Sequence, residues 1–289
     1  METDKLSDPK NTRRIIQEND FTFLKKLGQN FLVNDQVIRG IIEAAGITKD
    51  DCVVEVGPGI GTLTQYLAEA AGKVVAVEID KMLLPVLAKT LAAYDNVTVL
   101  HQDILKTDLG GIAREYHGGK PLKIVANLPY YITTPILMQI LESHIPLTSV
   151  TVMVQKEVAE RMQAGPGSKE YGALSLAVQY YTKPQIAVMV PPDCFIPKPK
   201  VESAVVHLDC AGMPCIHVGN EERMFSLIRA SFNQRRKTLV NGLNNSSALP
   251  YTRQQILTAL EKAGLDSRVR GETLTLAQFA QLTDLLEEQ

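Results

Sequence analysis

No stretch of this chain approaches the roughly 18 consecutive apolar residues of a membrane helix, which excludes a helical membrane-spanning protein. The opening METDKLSDPK is polar and lacks the apolar core of a secretion signal, so export is not expected. Cysteine is scarce. Cys52, Cys194, Cys210 and Cys215 show no framework spacing, which argues against a disulfide-stapled fold and for a reducing cytoplasm. Internal repeats and low-complexity tracts are missing as well. Charge of one sign is nearly absent in sum, at a net −2, and a strongly basic chain is thereby excluded. The distribution says more than the sum. Between Arg223 and Leu260 lie six basic residues (Arg223, Arg229, Arg235, Arg236, Lys237, Arg253) and no acid. A second basic group, Lys10, Arg13, Arg14, Lys25 and Lys26, lies near the N-terminus.

What is present is an ordinary globular composition, 45% apolar and 21% charged, over 289 residues. That length suits one large domain and a smaller one. From about Asp51 to Gln155, short β-rich runs alternate with helical ones. The runs CVVEV (52–56), KVVAVEI (73–79), NVTVLHQD (96–103), LKIVANL (122–128) and SVTVMVQ (149–155) predict strands. GTLTQYLAEAAG and KMLLPVLAKTLAAY predict helices between them. Near-continuous apolar strands in β-α alternation predict an α/β, Rossmann-like parallel sheet covered on both faces. QAGPGSKEYG (163–172) reads as a mobile loop, and QIAVMV with ESAVVHLDC reads as a strand pair closing the sheet. After about Gly212 the pattern turns helical. The expected division is a catalytic domain over 1–212 and a small helical domain over 213–289.

Ligands in such sheets bind at the carboxyl ends of the strands. The first strand runs into EVGPGIGT, with glycines at 57, 59 and 61. Glycine permits a sharp turn and a close ligand approach. A dinucleotide turn reads G-x-G-x-x-G, whereas here the third glycine comes one residue early. The tighter spacing is the form used by S-adenosylmethionine (SAM) methyltransferases; alone it is weak evidence, the other reading being a merely tight turn. Glu78, 21 residues after Gly57, ends the second strand, where a carboxylate can accept both ribose hydroxyls. Asp103 ends the third, where an acid suits the exocyclic amine of an adenine. Taken singly, either acid could be a surface residue or a helix cap. Ligand-type residues at three successive strand ends make coincidence a poor account.

The fourth strand ends in Asn127-Leu128-Pro129-Tyr130. An exocyclic base amine is a poor nucleophile because its lone pair is delocalised into the ring. Two hydrogen-bond acceptors on its N–H groups favour a pyramidal nitrogen and free that pair. The Asn127 side-chain oxygen offers one acceptor. Pro129 biases Leu128 toward an extended conformation and brings no N–H, leaving the Leu128 carbonyl as the second. Tyr130 adds a stacking face, worth roughly 1–3 kcal/mol per base. No strong general base is needed, since the amine becomes acidic once methylated.

LGQNFL (27–32), EVGPGIGTLT (55–64), NLPYYITTPIL (127–137), QKEVAERM (155–162), PGSKEYGALS (166–175) and FIPKPKVESAVV (195–206) resemble the small-subunit ribosomal RNA adenine dimethyltransferase family, the kasugamycin-sensitivity methyltransferases. FNQRRKTLVNGL (232–243) extends the resemblance nearly end to end. It implies a class I SAM-dependent methyltransferase domain that N6,N6-dimethylates two adjacent adenosines in the 3′-terminal hairpin of small-subunit rRNA. By motif position, Asn30 and Leu32 join Gly57, Gly59, Glu78, Asp103 and Asn127 around SAM. Asn127, Leu128, Pro129 and Tyr130 would serve the target adenine, and Phe195 would stack on its other face. The implied partner is an immature 30S subunit, approached by a cytoplasmic monomer with no membrane anchor.

Arg229, Asn233 and Arg236, at i, i+4 and i+7, would share one face of a continuous helix opposite Met224, Phe225, Ile228 and Phe232. Arg229, Arg235, Arg236 and Lys237 are the candidate RNA-phosphate contacts, the other reading being a solvated helix face. His207, Cys210, Cys215 and His217 are close in sequence, but strand alternation separates His207 from Cys210 and the cysteine spacing is not a zinc spacing, so no metal is expected. Three alternatives stay open at this stage: a large-subunit rRNA methyltransferase of the antibiotic-resistance type, an NAD-dependent oxidoreductase, and an assembly factor whose binding role outweighs catalysis.

Overall fold

The computed structural model describes residues 5–18, 30–214, 216–234 and 236–289. It divides into two compact units, one of residues 1–159 with 183–211 and one of 160–182 with 212–289. The first unit holds the strands β1 (Phe31–Leu32), β2 (Cys52–Val56), β3 (Lys73–Glu78), β4 (Val97–His101), β5 (Leu122–Asn127), β6 (Leu147–Gln155), β7 (Lys183–Val190), β8 (Phe195–Ile196) and β9 (Ser203–Asp209). Its helices are α1 (Pro9–Glu18), α2 (Asp35–Ala45), α3 (Thr62–Ala70), α4 (Leu84–Thr90), α5 (Leu109–His117) and α6 (Thr133–Leu141), and α7 (Lys156–Gln163) begins there.

Seven strands form one sheet in the order β4-β3-β2-β5-β6-β9-β7. The first five are parallel, in keeping with continuous apolar runs such as CVVEV, and β9 runs antiparallel to both β6 and β7. β2 and β3 are buried almost throughout. Strand order reverses between β2 and β5. Their carboxyl ends diverge into helices on opposite sides and leave a crevice there.

Local chemistry sets the helix limits. Asn34 caps α2 by accepting from the Val37 N–H, and Gly46 closes it in the left-handed conformation, φ 54°. Asp108 caps α5 in the same way. The expected helix over 81–94 contracts to Leu84–Thr90, with Leu91 leaving helical geometry. At the amino ends of the strands, buried Lys123 donates to Asp51 at 2.9 Å and to the Gly46 carbonyl at 2.6 Å. That tie joins β5 to the end of α2 and is structural.

The second unit contains α8 (Ala173–Tyr181), α9 (Glu221–Asn233), α10 (Leu239–Asn244), α11 (Arg253–Lys262) and α12 (Leu276–Glu287). Reciprocal Thr–Gln capping boxes start α11 and α12. A single division at Gly212 overlooks Glu160–Thr182, which packs with the C-terminal helices. Tyr180 and Tyr181 both reach the Glu221 carboxylate, and Tyr181 stacks on Phe225. The glycine-rich 163–172 segment is tied rather than loose: the Gly167 N–H donates to the Glu272 carbonyl at 2.8 Å, and buried Tyr171 donates to that of Leu274. Among the described residues, no helix is long and apolar enough to cross a membrane.

Candidate active site at the carboxyl ends of the strands

One cavity opens where β2, β3, β5 and the segment after β4 end, and every lining residue belongs to the first unit. From β2 come Glu55 and the turn bearing Gly57 and Gly59, and from β3 come Glu78 and Ile79. Gln102 and Asp103 follow β4, and Asn127 through Tyr131 follow β5. Asn30, Phe31 and Leu32 line the same space.

The glycine turn needs glycine. Gly57 and Gly59 have φ of +68° and +62°, a conformation that a Cβ disfavours. At Gly57 no atom lies within 4 Å of where a Cβ would stand, so the backbone faces open cavity. At Gly59 a Cβ would meet the Phe31 ring at 3.1 Å. The Gly59 N–H donates to Glu78 Oε2 at 3.3 Å, and the Asp80 N–H donates to Oε1 at 2.7 Å. Both oxygens are thus held in place, and each retains a lone pair for a ligand. Burial raises the Glu78 pKa above the usual carboxylate value, against the pull of those two backbone donors. Asp103 does not end a strand; it caps the short turn Ile104–Lys106 by accepting from the Leu105 N–H at 3.0 Å.

Asn127 is oriented by its nitrogen, which donates to the Asn30 backbone carbonyl at 3.0 Å. An amide whose nitrogen is committed in this way turns its oxygen to the other side as the available acceptor. Leu128 is buried, its N–H donating to the Met153 carbonyl at 3.2 Å. Tyr130 is pinned by a 2.6 Å hydrogen bond between its hydroxyl and Ser203. Burial raises its pKa, only partly offset by that bond, so the phenol stays neutral.

A family model described as Ribosomal RNA adenine dimethylase matches residues 20–288. The chain belongs to that family. A relative from Lachnoclostridium phytofermentans, named Ribosomal RNA small subunit methyltransferase A, is 58% identical over 98% of this chain and 98% of its own. One of the same name from Geobacillus thermodenitrificans is 50% identical over 97% of each. Among solved structures, a dimethyladenosine transferase from Plasmodium falciparum superposes with a TM-score of 0.73 at 27% identity, covering 87% of this chain and 95% of that one. The 23S rRNA methyltransferase ErmE superposes at 0.68 and 26% identity, covering 89% and 100%. The family's Rossmann-like methyltransferase fold is therefore the fold of this chain.

The residues lining the cavity fit SAM on their own terms. Gly57 leaves a Cβ-sized space at the turn, and Glu55 Oε2 is buried against the cavity without a hydrogen-bond partner among the described residues. Glu55 was not anticipated from sequence, although a lone charged residue inside CVVEV was the available signal. Burial pushes its pKa up to about 8. Tyr131, to which the sequence assigned no role, stands 60% exposed at the cavity mouth beside Tyr130.

The expected stacking role of Phe195 does not match its position. Its ring is 2% exposed and outside the cavity lining, because β8 pairs antiparallel with β1 and turns the ring into the core beside Val190 and Cys194. The continuous basic helix also fails. α9 ends at Asn233, Gln234 leaves helical geometry, and a Lys237 N–H to Gln234 carbonyl turn follows, so Arg236 is not on the face of Arg229. Arg229, Arg236 and Lys237 are all exposed. Arg235 lies outside the described residues, as do Lys25 and Lys26.

Proposed function

We propose that this protein transfers methyl groups from SAM to N6 of two adjacent adenosines in the 3′-terminal hairpin of small-subunit rRNA, giving N6,N6-dimethyladenosine. The observation that carries the reading is the Asn127 amide, whose committed nitrogen leaves its oxygen as an acceptor at the end of β5. SAM supplies a methyl group activated by the adjoining sulfonium. Glu78, with both oxygens pre-oriented, accepts from the ribose hydroxyls, and Asp103 accepts from the cofactor's adenine amine. Asn30, Leu32, Gly57 and Gly59 shape the rest of that subsite.

The target adenosine leaves its stack to enter the cavity, at a cost of a few kcal/mol. Asn127 Oδ1 and the Leu128 carbonyl accept from its amine, Pro129 keeps that carbonyl bare, and the Tyr130 ring supports the base. These groups orient the amine lone pair, and the rate derives from positioning rather than from a covalent enzyme adduct. The amine proton is lost to solvent after transfer. Arg229, Arg235, Arg236 and Lys237 hold RNA phosphates. The substrate particle is an immature 30S subunit, met by a cytoplasmic monomer.

ErmE's likeness shows that the fold alone does not choose between ribosomal subunits. Near-complete coverage by relatives named for the small subunit favours the reading given. Mass spectrometry of small-subunit rRNA from cells with and without this gene tests it. Dimethyladenosine near the 3′ end should vanish with the gene, and its persistence would sink the assignment. SAM binding to the purified protein should weaken strongly in Glu78→Ala.

A further inference from the structure

The N-terminal segment, which the motifs leave without a role, is built into the first unit. Leu6 is 2% exposed and shares a core with Phe31, Ile60 and Leu83, so the segment packs against residues that border the cavity. The Leu6 N–H donates to Gln65 Oε1 at 3.1 Å, and the buried Thr12 hydroxyl donates to the Leu6 carbonyl at 2.6 Å. The Tyr66 hydroxyl gives its proton to Asp35 at 2.5 Å, so Ser7 donates to Tyr66, at 2.6 Å. Every polar group buried by this docking that has been named is satisfied, which is the mark of a seated element rather than a passing contact.

Seating fixes which way α1 faces. Thr12 is buried, and Ile15 and Ile16 pack against the Leu6 core. Lys10, Arg13, Arg14 and Gln17 are all exposed. At helical spacing these four fall within an arc of about 100° on the opposite side. Arg14 is paired with Glu18, whereas among the described residues Lys10 and Arg13 form no ion pair. A seated helix face in a chain of net charge −2 thus holds two exposed cations, three residues apart, with no ion-pair partner among the described residues.

We propose that the outer face of α1 is an RNA-docking surface, with Lys10 and Arg13 each contacting a backbone phosphate of the substrate RNA. The inference rests on the function proposed above for its polyanionic partner. A phosphodiester strand suits this face because its charges repeat at a fixed spacing and need no shaped pocket. The contact is one of position and carries no sequence information. It is a second phosphate-binding element, separate in sequence from the Arg229–Lys237 group.

The test is a salt titration of binding to unmethylated 30S subunits by the full chain and by the double variant Lys10→Gln/Arg13→Gln. Each lost phosphate contact lowers the slope of log K against log salt by about 0.7–0.9. The double variant should therefore lose between one and two units of slope and bind several-fold more weakly at low salt. Lys10→Glu/Arg13→Glu should bind more weakly still. Melting temperature and SAM affinity should not move. An unchanged slope would overturn the proposal, as would a parallel fall in melting temperature or SAM affinity, which would mark the two residues as structural. Wild-type methylation of the same subunits is scored alongside. Its absence would overturn the proposed function, while the slope comparison would still decide the role of α1.

Discussion

Glu55→Gln is expected to change how the stability of this protein responds to pH. The Glu55 side chain is 1% exposed, and its Oε2 has no hydrogen-bond partner among the described residues. Burial is the main force pushing its pKa from 4.5 to about 8, the Glu78 charge adds to it, and nearby Thr64 opposes it without completing a hydrogen bond. Between those two values the folded protein keeps a proton that the unfolded chain has released. Stability therefore falls as pH rises, by about 1.4 kcal/mol per unit, and levels off above the folded value. By pH 7 the accumulated loss is about 3 kcal/mol. Glutamine has the shape of the neutral acid and does not titrate. Its amide nitrogen, set where Oε2 lies, lacks an acceptor and costs about 1 kcal/mol. The variant should thus match or fall slightly below wild type near pH 5 and exceed it by about 2 kcal/mol at pH 7. The chain has no tryptophan, so urea unfolding is followed by far-ultraviolet circular dichroism or tyrosine emission. Parallel stability curves for the two proteins from pH 5 to 8 would refute the reasoning. A second readout concerns the cofactor. A cation filling the cavity favours ionised Glu55, so SAM binding at pH 7 should release more protons from wild type than from Glu55→Gln. Calorimetry in buffers of different ionisation enthalpy measures that release.

Asn127→Ala removes the acceptor at the end of β5 and should lower single-turnover methyl transfer about 10²-fold or more while subunit binding is kept; equal rates would dismiss the amine-orienting role. Gly59→Ala forces a Cβ onto φ +62° and against the Phe31 ring, so SAM affinity by calorimetry should drop at least about tenfold, with about 1–2 kcal/mol of strain. Lys123→Met strips Asp51 of its buried cation and leaves the Gly46 carbonyl without its donor, a loss of about 3 kcal/mol by urea denaturation at pH 7. Although burial opposes it, hydrogen bonds from Lys123 and Thr48 hold the Asp51 pKa below its ordinary 3.8. That stabilisation is present above the ordinary value and lost as pH falls through the folded one, so Lys123→Met should lose less stability than wild type on acidification. Tyr171→Phe deletes the donor to the buried Leu274 carbonyl and should cost about 1 kcal/mol; an unchanged unfolding midpoint would show that the carbonyl finds another partner.

Much of the site was legible because parallel sheets gather ligand groups at strand ends, and strand ends can be read from apolar runs. Gly57, Gly59, Glu78, Asp103 and Asn127 were found in that way, and all of them line one cavity. Asn30 and Leu32 carry no such signal. They reach the cavity because the pairing of β1 with β8 brings a segment nearly a hundred residues away in sequence to the end of β5, a contact between parts of the chain that no local pattern encodes. Phe195 misled for the same reason, since the pairing that brings Leu32 to the cavity turns the Phe195 ring inward. The basic run after Arg229 misled differently. Helical spacing predicts a shared face only while the helix lasts, and a turn at Gln234 ends it.

By itself the sequence determined the α/β class, the order of the parallel strands' ligand-bearing ends and the chemistry available there, because backbone period and residue type are local properties. Tertiary structure decided which groups are already engaged. It committed the Asn127 nitrogen to Asn30, tied both Glu78 oxygens, left Glu55 Oε2 without a partner among the described residues and turned the cations of α1 outward. Hydrogen-bond satisfaction and burial depend on neighbours that meet only when the chain has folded.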